Sequence, residues 1–252
     1  MHTQAAELDH AIEAIRVRFG SQALTRAGEL PPPAAWPSGT PLDGLTGIGG
    51  LPVGRLTLLT GNGTCGKLTL ALSLLAGATH EFAHAVVIDT ASGFDPRSLI
   101  QFEPDRGQLT IVRPPVPDAA GEAASTLARA GAGFILLMGE VPEPWLAPVE
   151  SGANRSGTVV VAVVDSPSRA LAHASSLSLA FMRAGWIWER GQLIGLRTIA
   201  RCAKNRVAPP VGESELEIRY AMGPEALRPG APLVERRAAL VAAEVECTSA
   251  VV

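Results

Sequence analysis

Short apolar runs alternate along the chain with amphipathic and Ala-rich stretches, and each pattern predicts an element. Leu8, Ile12, Ile15 and Phe19 fall at i, i+4, i+7 and i+11, the stripe of a short amphipathic helix that Gly20 stops. Such a helix is marginal alone and must pack against something. LPPPAAWPS (30–38) carries four prolines and predicts a stiff extended tether that holds the helix away from the main body. A helix folded back on its own core is the alternative.

From residue 55 the pattern switches regularly between strand and helix. RLTLLT (55–60) is strand-like and LTLALSLLAGA (68–78) is a largely buried helix. AVVID (85–89) and LTIV (109–112) are short strands, and 119–130 is an Ala-rich helix. FILLM (134–138) and TVVVAVV (158–164) are buried strands, and SSLSLAFM (175–182) reads as helix-like. The alternation predicts βαβ units and an α/β fold with a mainly parallel central sheet. Beyond about residue 185, GWIWERGQLIGLRTIARCAKN has a turn at 190–192 that predicts antiparallel pairing, and ELEIRY (215–220) adds a strand. The final stretch, rich in Ala, Pro and Glu, reads as a helix or loose tail. The expected organisation is an N-terminal helix with its Pro-rich linker (1–37), an α/β core (38–226) and a C-terminal tail (227–252).

Composition sharpens this picture. With 252 residues, 47% of them hydrophobic and 18% charged, the chain can build a substantial core and is not wholly disordered. A net charge of −3 argues against a generally basic nucleic-acid surface. Cys65, Cys202 and Cys247 are widely spaced and include no C-x-x-C pair, which argues against a zinc cluster, a disulfide framework or any other metal site. Neither a signal peptide nor an apolar run of about 18 residues is visible, so a cytoplasmic protein without a membrane partner is expected. Of 21 basic residues only Lys67 and Lys204 are lysines.

The chemistry concentrates in Gly61-Asn62-Gly63-Thr64-Cys65-Gly66-Lys67-Leu68-Thr69, which follows a strand and opens a helix. Backbone N–H groups of such a loop curl round an anion at the helix N-terminus, and Lys67 would reach the β- and γ-phosphates. Three groups that a nucleotide hydrolase needs are absent or displaced. The residue after the lysine, normally a metal-binding Ser or Thr, is Leu68, and Thr69 points about 100° further round the helix. FILLM ends in Met138-Gly139 rather than an acid, with Glu140 two residues late. After Asp89 no acid follows until Asp95. Together these predict impaired hydrolysis, with no catalytic residue assigned and Mg²⁺ disfavoured, although Asp89 or Glu140 could act as a displaced acid.

These landmarks, in order, make the chain similar to the bacterial RecA recombinase family. The segment 8–29 resembles the family's N-terminal oligomerisation helix and following strand, and 38–72 resembles the approach to the core and the phosphate loop. VVIDTASGFDP (86–96) resembles the family's I-D-A-E-x-x-x-D-P segment, and KNRVAPPVGESELEIRY (204–220) its late K-N-K-x-A-x-P segment and closing strand. The resemblance implies ATP as the ligand. It places the catalytic Glu on Ala91, the acidic strand's Asp on Met138, the γ-phosphate-sensing Gln on Asp165 and the adenine-stacking aromatic on Ser98. Asp95, Pro96 and Lys67 are kept. Lys204 and Arg206 are kept too, and in the family they reach across the subunit interface to a neighbour's ATP. The family's two DNA-binding loops are shortened here, with only Arg155, Arg169 and His173 as basic groups, which implies weak direct DNA binding.

The function implied is a catalytically degenerate accessory factor in DNA repair and recombination. It would bind nucleotide weakly and pair through Leu8, Ile12, Ile15 and Phe19 with RecA-type subunits or translesion repair proteins. Among short members of the family it is most similar to the ImuA type, associated with damage-induced (SOS) mutagenesis. An active DNA-dependent ATPase and a nucleotide-independent adaptor are the competing functions. Plainer roles compete residue by residue: Lys67 capping carbonyls in a relic loop, Lys204 and Arg206 as solvated edge charges, Asp165 as a surface acid, Cys65 as loop filler, Trp145 packing a shortened loop, and Trp186 or Trp188 as core rather than base-stacking groups.

Overall fold

A computed structural model describes residues 2–20, 33–90, 92–209, 211–220 and 233–235, which divide after Pro33 into two units. The first contains α1 (His2–Phe19). Its last turn carries Arg16 and Arg18, favourably placed at the negative end of the helix dipole. Gly20, at φ 91°, donates its N–H to Arg16 O and ends the helix. Ile15 and Phe19 are exposed and Ile12 is half-buried, while the side chain of Leu8 and the segment 21–32 lie outside the described residues.

Among the described residues the second unit is built on a nine-stranded sheet. In chain order its strands are β3 (Leu56–Thr60), β4 (Ala85–Asp89), β5 (Leu109–Val112), β6 (Phe134–Met138), β7 (Val159–Val164), β8 (Leu177–Glu189), β9 (Gln192–Asn205), β10 (Glu213–Arg219) and β11 (Leu233–Glu235). Across the sheet they run β11-β10-β9-β8-β3-β7-β6-β4-β5. The stretch from β8 to β5 is parallel, and β9, β10 and β11 add antiparallel to it.

Because successive strand residues point to opposite faces, the apolar runs divide between two cores. Leu59, Val87, Phe134, Leu136 and Val161 pack under α2 (Lys67–Glu81). Leu58, Ile88, Ile135, Leu137 and Val160 pack under α3 (Pro117–Ala130), α4 (Glu143–Ser156) and α5 (Arg169–Ala174). The result is a helix–sheet–helix sandwich with a mainly parallel centre, as the alternation predicts.

Two expectations need correction. Residues 175–182 do not form a helix: Leu177, Leu179 and Phe181 alternate into the core with period two as the start of β8. The Pro-rich stretch is only partly a tether. Ala35–Trp36 forms β1, antiparallel to β2 (Leu51–Pro52), and the Trp36 ring lies 5.3 Å from Phe82 and 5.5 Å from Phe134. That tryptophan is buried, so the divide between units falls slightly before the expected residue 37. The segment 143–156, to which the sequence pattern assigns no element, is helical, with prolines at or near its start and one turn further on. Pro142 is the N-cap and Pro144 lies in the first turn, where no intrahelical N–H bond is needed, so only Pro148 interrupts the ladder.

The turn at 190–191 closes the β8–β9 hairpin with Arg190 at φ 49° and Gly191 at φ 80°, both positive as a type I′ turn requires. Of the C-terminal tail only Leu233–Glu235 is described, as the edge strand β11. Among the described residues no helix is long and apolar enough to cross a membrane.

Candidate functional site

β3 delivers the chain to the C-terminal edge of the parallel strands, where open α/β sheets bind ligands, and the glycine loop leads from it into α2. Two glycines are dictated by close packing. A Cβ on Gly61 would strike Phe181 O, and one on Gly66 would strike Ile218 Cδ1; their φ values of 151° and 87° also disfavour other residues. Cys65, within the loop, is buried against the core and borders the cleft. Arg183 of β8 donates to Thr64 O at 3.4 Å, so strands flank the loop closely.

The loop lines a cleft of about 790 Å³. It is lined by the segment 63–69 and by Met138, Glu140, Val163, Asp165, Leu196 and Tyr220. Leu68 and Met138, standing where a hydroxyl and a carboxylate would be needed, both face this space as apolar groups. Burial raises the Tyr220 phenol above its ordinary value, with Arg183 pulling the other way. Sequence reasoning missed Tyr220 and Arg183. Arg183 sits in β8 and Tyr220 directly follows β10, both far from the loop in sequence, and only sheet pairing brings them to it. Arg183 also stacks on Trp186 at 4.5 Å, while Trp188 is exposed.

Lys67 is the most informative side chain. It is buried, and its Nζ donates to Gly61 O at 2.6 Å and to Asp165 Oδ1 at 2.6 Å. Asp165 follows β7, the strand beside β3, and its carbonyl accepts the Gly61 N–H at 3.3 Å. Strand pairing thus brings to the loop a carboxylate that lies 98 residues away in sequence.

The other acids are occupied. Asp89, wholly buried, accepts from Gly93 N at 3.0 Å and Phe94 N at 2.9 Å and lies 3.6 Å from Arg113 Nε. It shapes the turn after β4 and does not line the cleft. Asp95, expected at the nucleotide, caps the 3-10 helix Pro96–Phe102 by accepting from Arg97 N at 3.0 Å, and it too lies off the cleft. Glu140 does line the cleft but accepts the Ser168 N–H ahead of α5. Ala91 is outside the described residues. Among the described residues no group of three or more His, Cys, Asp or Glu is placed to hold a metal.

Arg206 stands towards the other edge of the sheet, and Lys204 is level with mid-β3. Lys204 pairs in register with Ser178, which pairs with Leu58; Arg206 N donates to Ser176 O, whose own N–H donates to Leu56 O. Arg206 is thus level with the start of β3, five residues or about 16 Å before the loop. The Lys204 ammonium donates to Ala172 O at 2.7 Å and His173 O at 2.9 Å, capping α5, and burial lowers its pKa, with Arg206 adding to the effect and Glu150 opposing it. Glu150 is raised by burial, against the pull of Arg206, Arg55, Lys204 and His173. Burial likewise raises the Cys202 thiol. Arg206 is exposed.

Comparison with known proteins agrees with this geometry. The sequence model of the RecA N-terminal domain matches residues 6–145. Protein RecA of Aquifex pyrophilus is 29% identical over 258 residues, covering 86% of this chain and 74% of the relative. Protein RecA of Cutibacterium acnes is 27% identical over 279 residues, covering 94% and 77%. That of Thermus aquaticus is 28% identical over 259 residues, covering 86% and 76%.

Proposed function

The chain belongs to the RecA family, and from that premise we propose that it is an accessory member in DNA repair, holding nucleotide weakly and not hydrolysing it efficiently. The observation that carries this reading is the make-up of the cleft. Its phosphate-binding backbone is built as a nucleotide site requires, yet Leu68 and Met138 line it where metal and water would be managed. ATP fits the loop, whose glycines leave room for an anion against the helix N-terminus. Mg²⁺ does not fit. Leu68 offers no hydroxyl, Asp89 is committed to Gly93, Phe94 and Arg113, and the two acids at the cleft already bind Lys67 and Ser168 N–H.

Sheet polarity supports the expected action in trans. Arg206 is level with the start of β3, away from its own loop, and the Lys204 ammonium is turned to α5, so both are read as serving a neighbouring RecA-type subunit. Arg206 is the better suited of the two, since Lys204 is held by α5. On α1, the exposure of Ile15 and Phe19 beside half-buried Ile12 supports the expected pairing of the Leu8, Ile12, Ile15 and Phe19 stripe with such a subunit or a translesion repair protein. In place of the family's DNA-binding loops stand α4 and α5, which supports weak direct contact with DNA. Association with the damage-induced mutagenesis machinery, as in the ImuA type, is the narrower form of the reading.

The test has two arms. ATP turnover with single-stranded DNA should not exceed background. The full chain should capture purified RecA from the same host, and Ile15→Asp with Phe19→Asp should abolish that capture. Turnover removed by Lys67→Ala would establish an active ATPase instead, and absence of capture by the intact chain would remove the accessory role.

A further inference from the structure

We propose that Asp165 makes this cleft select nucleoside diphosphates over triphosphates, an inference that rests on the phosphate-binding reading of the loop. A lysine at this place serves the β- and γ-phosphates with its three N–H groups. Here one N–H goes to Gly61 O and a second to Asp165 Oδ1, each at 2.6 Å, which leaves one for a ligand. One phosphate group can be served by that donor and by the backbone at the start of α2. A further phosphate has to lie beyond Nζ, on the side already held by a carboxylate.

The backbone of Asp165 is fixed beside the loop, and the bond to Lys67 holds its carboxylate there. Its carbonyl accepts the Gly61 N–H, and its residue directly follows β7, paired along its length with β3. A second carboxylate, Glu140, lines the same cleft. The extra charge of a triphosphate therefore enters against two acids and one lysine that is already neutralised. Where Mg²⁺ would offset that charge, the cleft presents Leu68 and Met138. Solvent moderates the repulsion, because the Asp165 side chain is 70% exposed. The expected preference is accordingly about tenfold rather than a thousandfold.

The experiment is calorimetric titration of the full chain with ADP, ATP and pyrophosphate, without divalent metal, at low and at high salt. The wild type should bind ADP about tenfold more tightly than ATP, and the gap should shrink with salt. Asp165→Asn should close the gap chiefly by gaining affinity for ATP. Asp165→Ser is a second variant at this exposed site, and melting curves confirm folding for both. Lys67→Gln should weaken all three ligands. ATP bound as tightly as ADP by the wild type, or an unchanged ratio in both Asp165 variants, would overturn the selectivity while leaving the loop a phosphate site. No binding of any ligand by the wild type and both Asp165 variants would overturn the phosphate-binding reading, and this inference with it.

Discussion

Replacing Asp89 by Asn separates an acid that shapes a turn from one that does chemistry. Its carboxylate has no exposure and receives two backbone N–H bonds, from Gly93 at 3.0 Å and Phe94 at 2.9 Å. Asn keeps one acceptor and turns an NH₂ toward the other donor. The variant therefore loses one charge-assisted bond, about 1.5–3 kcal/mol, and leaves a buried N–H unpaired. These costs overlap, so the expected loss is about 2–4 kcal/mol. The Arg113 side chain is 50% exposed and adds less than about 1 kcal/mol. In a chain of this size the melting temperature should fall by about 5–15 °C. Urea denaturation followed by tryptophan fluorescence measures the loss directly. Glu140→Gln is the control, because Glu140 bonds an exposed N–H and its loss should cost less than about 1 kcal/mol. Equal stability of Asp89→Asn and wild type, within about 0.5 kcal/mol, would refute the structural assignment.

Other outcomes follow from the same packing. Trp36→Ala should cost about 3–5 kcal/mol by urea denaturation, whereas Trp188→Ala, at an exposed site, should cost less than about 0.5 kcal/mol. Gly66→Ala should weaken both folding and nucleotide binding, since its Cβ would strike Ile218 at a φ of 87°; a melting curve and a titration read the two effects. Glu150 titrates above its ordinary 4.5 because of burial, so the folded state binds more protons than the unfolded state just above that pH. Its contribution to stability therefore falls as pH rises through this window, and Glu150→Gln should flatten the fall in urea midpoints measured from pH 4 to 7.

The central strands were legible because each is a short apolar run bounded by turn residues, and the phosphate loop because its glycines and lysine lie together in sequence. What escaped the sequence was decided by pairing or by position within an element. Ser178 and Ala180 between Leu177, Leu179 and Phe181 suit a strand or a helix equally, and only the neighbouring β3 decides. The sequence pattern assigns no element to α4, because composition does not show that two of its prolines occupy the helix start. Trp36 sits among prolines and looks like linker until Phe82 and Phe134 close round it. Asp165 read as a surface acid, or as the residue replacing a phosphate sensor. Its bond to Lys67 depends on two strands that meet only in the folded sheet.

The tightness around Gly61 and Gly66 has a consequence in time as well as in space. Backbone from Phe181 and a side chain from Ile218 hold the loop from two strands before any ligand arrives. Ordering such a segment removes about 1–2 kcal/mol of conformational freedom per residue, a loss already borne when the sheet assembled. Ligand capture then resembles docking into a rigid mould. Association should follow a single exponential whose rate rises linearly with ligand concentration, without the plateau that a slow rearrangement imposes.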